Sequence, residues 1–143
     1  MKNKQISVFL KNSKGTLYSL CGLLGKNGIN INAITISENL EFGAVRLVVD
    51  KTEEALKMLK DNNFIVNTTD VVVAEANDKP GSLANILKIL FDNSINVDYM
   101  YGFAEKPLKK GLMVFKFDET DKAIDTLSKN NIKLLNKREI DGI

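Results

Sequence analysis

Two short segments of the chain combine polar side chains with a glycine just before an apolar helical pattern. They are Asn12-Ser13-Lys14-Gly15-Thr16-Leu17 and Asp78-Lys79-Pro80-Gly81-Ser82-Leu83. Glycine lets a ligand approach the backbone, and the free N–H groups at a helix start attract anions. A carboxylate fits that position, and a side-chain oxygen of Asn12 or Asp78 can hold an ammonium group beside it. An α-amino acid needs both contacts, whereas an ordinary capped turn explains the same residues without a ligand.

A second pair of polar segments follows these helical patterns. Asn30-Ile31-Asn32 and Asn96-Val97-Asp98 open the next predicted strand after each helix. Such residues either contact a ligand or form a helix-ending loop whose polar side chains are solvated. The pattern alone leaves both interpretations open.

The residue types that most enzymes use for acid–base and covalent chemistry are scarce. The chain has no histidine, so it lacks the commonest general base and the commonest metal ligand. Its one cysteine, Cys21, occupies an apolar position of a predicted helix, which indicates a small core residue rather than a reactive thiol. Glu53-Glu54 and Asp118-Glu119 stand at predicted helix starts, where their charges stabilise the helix. We therefore expect no enzymatic activity, no cofactor and no metal site.

The sequence of the first half recurs in the second half. Gly15-Thr16-Leu17 aligns with Gly81-Ser82-Leu83, Ile29-Asn30 with Ile95-Asn96, and Asn62-Asn63 with Asn130-Asn131. The matches keep their order and need one short insertion in the second copy, near Lys106-Pro107-Leu108-Lys109. Self-similarity of this kind predicts two structural modules, which we place at residues 1–69 and 70–143.

Each copy carries the same pattern of elements. An alternating strand leads through the glycine turn into a helix with apolar residues on one face, such as Leu17, Leu20 and Leu24. Two strands follow, then a helix that Thr52 or Thr120 is expected to cap, and then a last strand. The predicted strands after the first helix are 30–38, 43–50 and 64–68 in one copy and 96–104, 111–118 and 132–138 in the other.

The order βαββαβ is the ferredoxin-like arrangement, in which two helices cover one face of an antiparallel sheet. The sequence therefore predicts an α+β fold with two such modules in tandem. A strand-like run from Phe64 to Ala76 passes from one copy into the next. We therefore expect the two sheets to lie side by side without a flexible linker.

The order and spacing of these motifs resemble the ACT domain. The resemblance is carried by Asp78-x-Pro80-Gly81-x-Leu83, the amphipathic helix and Ile95-Asn96-Val97 in the second copy, and by Gly15-x-Leu17 and Ile29-Asn30-Ile31 in the first. It covers essentially the whole chain, as two tandem ACT domains without an attached enzyme. Lys14 departs from the pattern, because the family often has proline there, and the second turn is therefore the better match.

ACT domains typically bind amino acids and regulate amino-acid metabolism. The resemblance thus implies a regulatory protein that senses a free amino acid and acts in trans on a metabolic enzyme. Ligands of the family usually lie at the seam between two domains, against the first turn of one and the second strand of the other. Carried over by position, the implied ligand-binding residues are Asn12, Ser13, Gly15, Thr16, Asn30, Ile31, Asp78, Gly81, Ser82, Asn96 and Val97.

Two other functions remain open on the sequence. A protein–protein interaction module without a small ligand fits the same fold. An RNA-binding module of the RRM type shares the βαββαβ order, but it needs exposed aromatic residues on two neighbouring strands. The second copy has Leu112 and Val114 at the third-strand positions and Glu75 in place of Phe9, so we expect no nucleic-acid partner.

Composition and patterning also bear on location and assembly. The net charge is +2, spread along the chain, and no apolar run is long enough for a membrane span. One cysteine excludes an internal disulfide, so we expect a cytoplasmic protein without a membrane partner. We also expect a homodimer or a larger assembly, because the sheet face opposite the helices is predicted to carry apolar residues, and contiguous exposed apolar patches usually mark interfaces. Helices or a second sheet could cover this face. Its apolar residues are Phe9, Val48, Val71, Val73, Leu112 and Val114.

Overall fold

The computed structural model describes residues 1–11, 13–38, 42–104 and 110–142. Asn12 and the predicted insertion at 106–109 lie outside the described residues. The elements are β1 (Asn3–Lys11), α1 (Thr16–Lys26), β2 (Ile31–Glu38), β3 (Phe42–Val49), α2 (Thr52–Asp61), β4 (Ile65–Asn77), α3 (Ser82–Asp92), β5 (Val97–Gly102), β6 (Lys110–Phe117), α4 (Thr120–Lys129), β7 (Leu134–Leu135) and α5 (Lys137–Asp141). The βαββαβ order is present twice, which confirms the predicted fold class.

The chain divides into two compact units. The first unit comprises Lys4–Thr69, and the second comprises Asp70–Ile143 together with Met1–Asn3. The strand β4 supplies its first residues to the first unit and its residues from Asp70 onward to the second. Its many Ile, Val and Thr residues are β-branched and favour an extended backbone over all 13 positions.

In the first unit, β1 and β2 both pair antiparallel with β3. Alternate residues of β1 point to one face, so Ile6, Val8 and Leu10 are buried against the two helices. The rest of this core consists of Leu20, Leu24, Ile29, Val45, Leu47, Val49, Ala55 and Leu59. Burying each large aliphatic side chain contributes about 1.5–3 kcal/mol, and this face therefore fixes the positions of both helices.

In the second unit, β6 pairs antiparallel with β4 and β5, and the short strand β7 also pairs with β4. Phe115 and Phe117 stack with their ring centroids 5.4 Å apart, within a core that α3 and α4 complete. Met113 packs against the same core. The three side chains alternate along β6 and share the face that packs against the helices.

The starts of α2 and α4 differ from the prediction that threonines cap them. Thr52 and Thr120 are the first helical residues, and the cap positions belong to Lys51 and Glu119, whose side chains make no capping hydrogen bond. Before α4, Oδ1 of Asp118 accepts from the N–H of the cap residue Glu119 at 2.9 Å. This bond fixes the chain just before α4, and the N–H groups of the first turn receive no side-chain cap.

The predicted last strand of the second copy, residues 132–138, is wrong except at Leu134–Leu135, and a helix follows. There Asn136 begins α5 with a reciprocal capping box. Oδ1 of Asn136 accepts from the N–H of Glu139 at 2.8 Å, and Oε1 of Glu139 accepts from the N–H of Asn136 at 3.3 Å. Ile140 is only 4% exposed, so it anchors this short helix in the second unit.

The apolar sheet face that the sequence predicts to be exposed is already covered within the chain. The buried members of that set are Val48, Val71, Val73, Leu112 and Val114. Phe9 alone is exposed, at 45%. The expectation of an open apolar sheet face is therefore wrong, and a homodimer needs other support.

Candidate ligand-binding site

The turn between β4 and α3 in the second unit leads into a helix without a side-chain cap. Gly81 occupies the N-cap position with a φ of 87°, a left-handed conformation that costs most other residues about 1–2 kcal/mol. The N–H of Lys79 donates to the carbonyl of Asn77 at 2.9 Å, and that of Ser82 donates to the carbonyl of Lys79 at 3.3 Å. Gly81 has no side chain to accept from the first turn of α3, and that turn holds no acidic residue.

This helix start resembles that of α1 and differs from those of α2 and α4. Gly15 caps α1 with a φ of 86°, again without a side-chain hydrogen bond or an acidic residue in the first turn. By contrast, Glu53 and Glu54 stand in the first turn of α2 and Asp121 in that of α4, where their charges stabilise the helix dipole. The repeated glycine turn thus provides the two helix starts best suited to an external anion.

A cavity of about 440 Å³ lies beside this turn in the second unit. The turn, the end of β4, the start of α3 and the loop after α4 all contribute to its wall. The lining residues are Glu75, Ala76, Asn77, Lys79, Pro80, Gly81, Ser82, Asn85, Ile86, Asn131, Ile132 and Lys133. The volume falls within the range of small-molecule sites, about 300–1,000 Å³. Gly81 and Ser82, both expected at a ligand site, therefore border space that a small metabolite can occupy.

The ferredoxin-like topology explains why the loop after α4 reaches this cavity. The two helices of a module run antiparallel, so the end of α4 lies beside the start of α3. Asn131 has a φ of 61°, the left-handed conformation that asparagine tolerates after a helix end. The N–H of Glu75 then donates to the carbonyl of Lys133 at 2.9 Å, which holds the loop against β4.

Three charged residues, Glu75, Lys79 and Lys133, contribute to the cavity wall. Glu75 contacts Nζ of Lys110 at 2.9 Å, and Nζ of Lys133 contacts Oε2 of Glu139 at 2.7 Å. The hydrogen bond between Lys133 and Glu139 raises the pKa of the lysine and, with a second bond from a backbone N–H, lowers the pKa of the carboxyl. Lys79 is exposed in the turn itself. The charged groups of Glu75 and Lys133 are thus each held by an ionic partner that does not itself line the cavity.

Asp78 borders a second cavity at the same turn. This cavity measures about 220 Å³, and its wall includes Leu83, Phe103 and Met113. Asp78 is the expected acceptor for an ammonium group, but it does not line the larger cavity. Glu75 is the carboxylate that does.

The start of the second strand does not approach the turn of the same unit. Val97 lies opposite Phe117 in the β5–β6 pair, whereas Asn77 at the end of β4 lies opposite Lys110. The start of β5 and the turn are therefore at opposite ends of the sheet. The end of β5, at Gly102, borders the smaller cavity instead.

Hydrogen bonds give the strand starts a structural role. Oδ1 of Asp118 accepts from the N–H of Asn96 at 3.0 Å, and Oδ1 of Asp50 accepts from that of Asn30 at 3.0 Å. Ile31 packs against the core of the first unit. These bonds tie each second strand to the end of the third. The side chains of Asn30 and Asn96 donate from Nδ2 to Oδ1 of Asn32 at 3.0 Å and of Asp98 at 3.1 Å, so both segments also have local partners.

The turn of the first unit closes on itself in a similar way. Oγ1 of Thr16 donates to the carbonyl of Ser13 at 2.9 Å, and Oγ of Ser19 donates to the carbonyl of Gly15 at 3.0 Å. The expected ligand residues Ser13, Gly15 and Thr16 therefore share one turn, while Asn12 lies outside the described residues.

Sequence reasoning does not identify Glu75, Lys79, Asn85, Asn131 and Lys133 as residues of the cavity. Glu75 appears in the sequence only as a replacement for an aromatic residue, and Lys133 lies in a predicted strand. The fold topology provides the signal that could have identified part of this set. Once the βαββαβ order is recognised, the end of the second helix must lie beside the first turn, so the residues after Lys129 become candidates.

Three findings concern metal, thiol and membrane chemistry. Within the residues that the structure describes, no three His, Cys, Asp or Glu side chains are grouped so that they could hold a metal ion. Cys21 is partly buried, and burial raises the pKa of its thiol, which disfavours the reactive thiolate. None of the helices in the described ranges is long and apolar enough to cross a membrane.

Comparisons with known proteins agree on the fold and the family. The family model for the ACT domain pair matches residues 1–143. The crystal structure of protein BT0572 from Bacteroides thetaiotaomicron is similar with a TM-score of 0.93 and 36% sequence identity, over 100% of this chain and 98% of that one. The regulatory subunits of aspartate kinase from Thermus thermophilus, in its ligand-free form, and from Thermus flavus share the fold. Their TM-scores are 0.65 and 0.61 at 13% and 14% identity, over 90% of this chain and 93% and 90% of theirs.

A search of the curated proteins finds no match for the chain. The match of the family model to the whole chain is reinforced by two repeated βαββαβ units and two glycine turns of the same geometry. The chain belongs to the family of ACT domain pairs.

Proposed function

We propose that this protein is a regulator whose second unit binds a free α-amino acid in the cavity beside α3. One observation carries the proposal: an uncapped helix start at Gly81 and Ser82 borders a cavity of about 440 Å³ whose wall also contains Glu75. N–H groups of the first turn of α3 donate to the ligand carboxylate, and the negative charge of Glu75 in the wall attracts its ammonium group. Hydrogen bonds that involve a charged group are worth about 1.5–3 kcal/mol each.

The family supports a regulatory role over a catalytic one. The regulatory subunit of aspartate kinase from Thermus thermophilus shares the fold, and we propose that this chain likewise acts on an enzyme of amino-acid metabolism, in trans. The single cysteine supports a cytoplasmic location, because the chain makes no internal disulfide that would need an oxidising compartment.

A thermal-shift screen of the common amino acids tests the ligand class. At a hundred times its Kd, a ligand adds about 2.7 kcal/mol to the free energy of unfolding, which raises Tm by a few degrees in a protein of this size. We expect at least one amino acid to produce this shift. The corresponding amine without a carboxylate is expected to have no effect, because nothing then accepts from the start of α3.

A pair of matched variants locates the site. Glu75→Gln keeps the size of the side chain but removes its charge, so it is expected to weaken binding of the amino acid found in the screen. Asp61→Asn, at the end of α2 in the first unit, is the control and is expected to leave binding unchanged. If no amino acid raises Tm at millimolar concentration, a protein-interaction module without a small ligand becomes the better function.

We also propose that the protein forms a homodimer. The helix α3 presents Leu83, Leu87 and Phe91 to solvent along one side, and Phe91 is 80% exposed. Exposed apolar stripes of this kind mark interaction surfaces. The same stripe is the observation that favours an interaction module as the second candidate function.

Light scattering at micromolar concentration tests the dimer, which is expected to have twice the mass of the chain. Replacing Phe91 by serine is expected to shift the protein toward monomer. Tyr18→Ser on α1 removes an equally exposed aromatic side chain and is expected to leave the mass unchanged. A monomer in the unmodified protein would contradict the homodimer.

An RNA-binding function receives no comparable support. Leu112 and Val114 occupy the positions where an RRM has stacking aromatics, and both are buried. Phe9 is exposed but lies in β1 opposite Ala44, so it has no aromatic neighbour at that register.

A further inference from the structure

The helices α1 to α4 each end at an asparagine whose side chain bonds back to the helix. In every case Nδ2 donates to the carbonyl four residues earlier at 2.8 Å, and the residue after the asparagine has a positive φ. The asparagines are Asn27, Asn62, Asn93 and Asn130, and the residues that follow them are Gly28, Asn63, Ser94 and Asn131. The four helix ends therefore share one geometry and differ in the residue at the left-handed position.

The glycine after Asn27 gives this helix end a chemistry of its own. Gly28 has no side chain to shield its backbone nitrogen, so that nitrogen can attack Cγ of Asn27. A bond forms between the two atoms, and Nδ2 leaves as ammonia together with the proton of the Gly28 N–H. Water then opens the cyclic imide at one of its two carbonyls, which leaves either aspartate or isoaspartate. Water is the only co-reactant.

In the native structure the reacting groups are held in other bonds. The N–H of Gly28 donates to the carbonyl of Gly25 at 3.1 Å, and Nδ2 of Asn27 donates to that of Leu23. Nζ of Lys51 donates to the carbonyl of Gly28 at 3.3 Å. All three bonds lie at the exposed end of α1, and helix ends are among the parts of a protein that open most easily.

We propose that Asn27 is a site of spontaneous deamidation, which occurs when the last turn of α1 opens, and that the modification destabilises the first unit. The aspartate product puts a carboxylate in place of the donor that faces Leu23, at the negative end of the helix dipole. The isoaspartate product lengthens the main chain directly before Gly28. The next residue, Ile29, is a core residue, 4% exposed, whose N–H donates to the carbonyl of Leu24 at 3.0 Å.

Timed incubation of the full chain in mildly alkaline heavy-oxygen water, followed by peptide mass spectrometry, tests the site. We expect Asn27 to take up the label well before Asn62, Asn93 and Asn130, which make the same bond but precede other residues. The chain unfolded in urea is expected to react faster at Asn27, because the native bonds are then absent. Equal rates at the four helix ends, or a folded chain that reacts as fast as the unfolded one, would overturn the proposal.

A reciprocal pair of variants separates the glycine from the rest of the helix end. Gly28→Asn gives α1 the same two residues that end α2, and asparagine tolerates the positive φ. We expect it to slow the reaction at Asn27 to the rate of Asn62. The reverse change, Asn63→Gly, is expected to make Asn62 as reactive as Asn27. Rates that stay the same in both variants would show that the glycine does not determine the site.

A third variant tests whether the opening of α1 controls the rate. Lys51→Met removes the bond to the carbonyl of Gly28. Local opening is much faster than deamidation, so the rate follows the population of the open form. We expect the rate to rise roughly twofold or more, as the lower end of the range for one hydrogen bond predicts. Lys57→Met, at an exposed position of the same helix, is expected to leave the rate unchanged, and equal rates in the two variants would contradict control by opening.

Hydrogen exchange of the modified protein tests the structural consequence. The modified fraction carries one more negative charge, so ion-exchange chromatography separates it from the parent. We expect faster exchange at the N–H of Ile29 and an unchanged rate at that of Ile95, which makes the matching 3.0 Å bond to Leu90 in the second unit. Unchanged exchange at both residues would overturn the destabilisation, and faster exchange at both would overturn its assignment to the first unit.

Discussion

Gly81 is the residue whose backbone most constrains the proposed site. Its φ is 87°, and a Cβ placed on it would meet no atom within 4 Å, so the position has space but a strained conformation. Gly81→Ala is therefore expected to lower the free energy of unfolding by about 1–2 kcal/mol, measured by urea denaturation. Any loss of ligand after this change would mix strain with lost contacts, so side-chain variants are the better probes of binding.

A second glycine provides the control for that prediction. A Cβ on Gly25 would also meet nothing within 4 Å, but Gly25 lies in the regular helix α1. Alanine there is expected to raise the free energy of unfolding by about 0.5–1 kcal/mol, because it restricts the unfolded chain and favours the helix. Changes of the same sign at both glycines would contradict an explanation based on φ.

The ionisation of Glu139 is expected to change the free energy of unfolding. Its bonds to Lys133 and to the backbone of Asn136 hold its pKa below the ordinary value of 4.5. Folding therefore favours the ionised carboxylate, and this contribution is complete above that ordinary value and is lost as the pH falls through the lowered pKa. We expect unmodified protein to be more stable than Glu139→Gln near neutral pH. The difference should shrink in denaturation curves recorded below pH 4.5, and a difference independent of pH would contradict the ion pair.

At the scale of elements, the sequence predicts the helices and strands whose apolar residues recur at a regular spacing. The spacing of Leu17, Leu20 and Leu24 is enough to place α1, and the alternation in β1 is enough to place that strand. The prediction fails at the end of the chain, because it continues the strand of Leu134 and Leu135 across the start of α5. The capping pair that stops the strand was present in the sequence as an Asn followed three residues later by a Glu.

The same capping pair makes α5 testable. Asn136→Ala removes the oxygen that accepts from the N–H of Glu139 at 2.8 Å. Loss of an N-cap residue typically costs about 1 kcal/mol, and we expect that reduction in the free energy of unfolding by urea denaturation. Asn136→Ser, which keeps an acceptor at the cap, is expected to retain most of the stability. Equal losses in the two variants would argue against a capping role.

At the scale of the whole molecule, the duplication predicts the fold but only the glycine turn of the candidate site. Gly81 and Ser82 are predictable because neighbouring residues alone create their turn. Glu75 and Lys133 are not, since they meet only after elements far apart in the sequence have packed. Alternation assigns Val71 to one face of a strand, but it does not say whether that face is covered, and for this reason the exposed face was predicted wrongly.

The N-terminal residues provide a test of the second unit as a whole. Asn3 is 4% exposed, and its Nδ2 donates to the carbonyl of Leu135 at 2.9 Å. Asn3→Asp keeps the shape of the side chain but replaces the donor by a carboxylate, which repels the carbonyl of Leu135. We therefore expect the free energy of unfolding to fall by at least about 2 kcal/mol and hydrogen exchange at β7 to become faster. Lys2→Gln, which removes an exposed pair with Asp121, is expected to change little. Similar losses of stability in Asn3→Asp and Lys2→Gln would show that the buried bond from Asn3 to Leu135 does not stabilise the second unit.

The bond between Asn3 and Leu135 also sets an order of events during translation. A ribosome adds about 5–20 residues per second, so the 132 residues that separate the two partners take roughly 7–26 s to synthesise. The first unit, Lys4–Thr69, is complete in sequence long before that time. A nascent chain can therefore fold its first unit while Met1–Asn3 are still without their partner. The residues that directly precede the first unit are thus among the last to reach their native place.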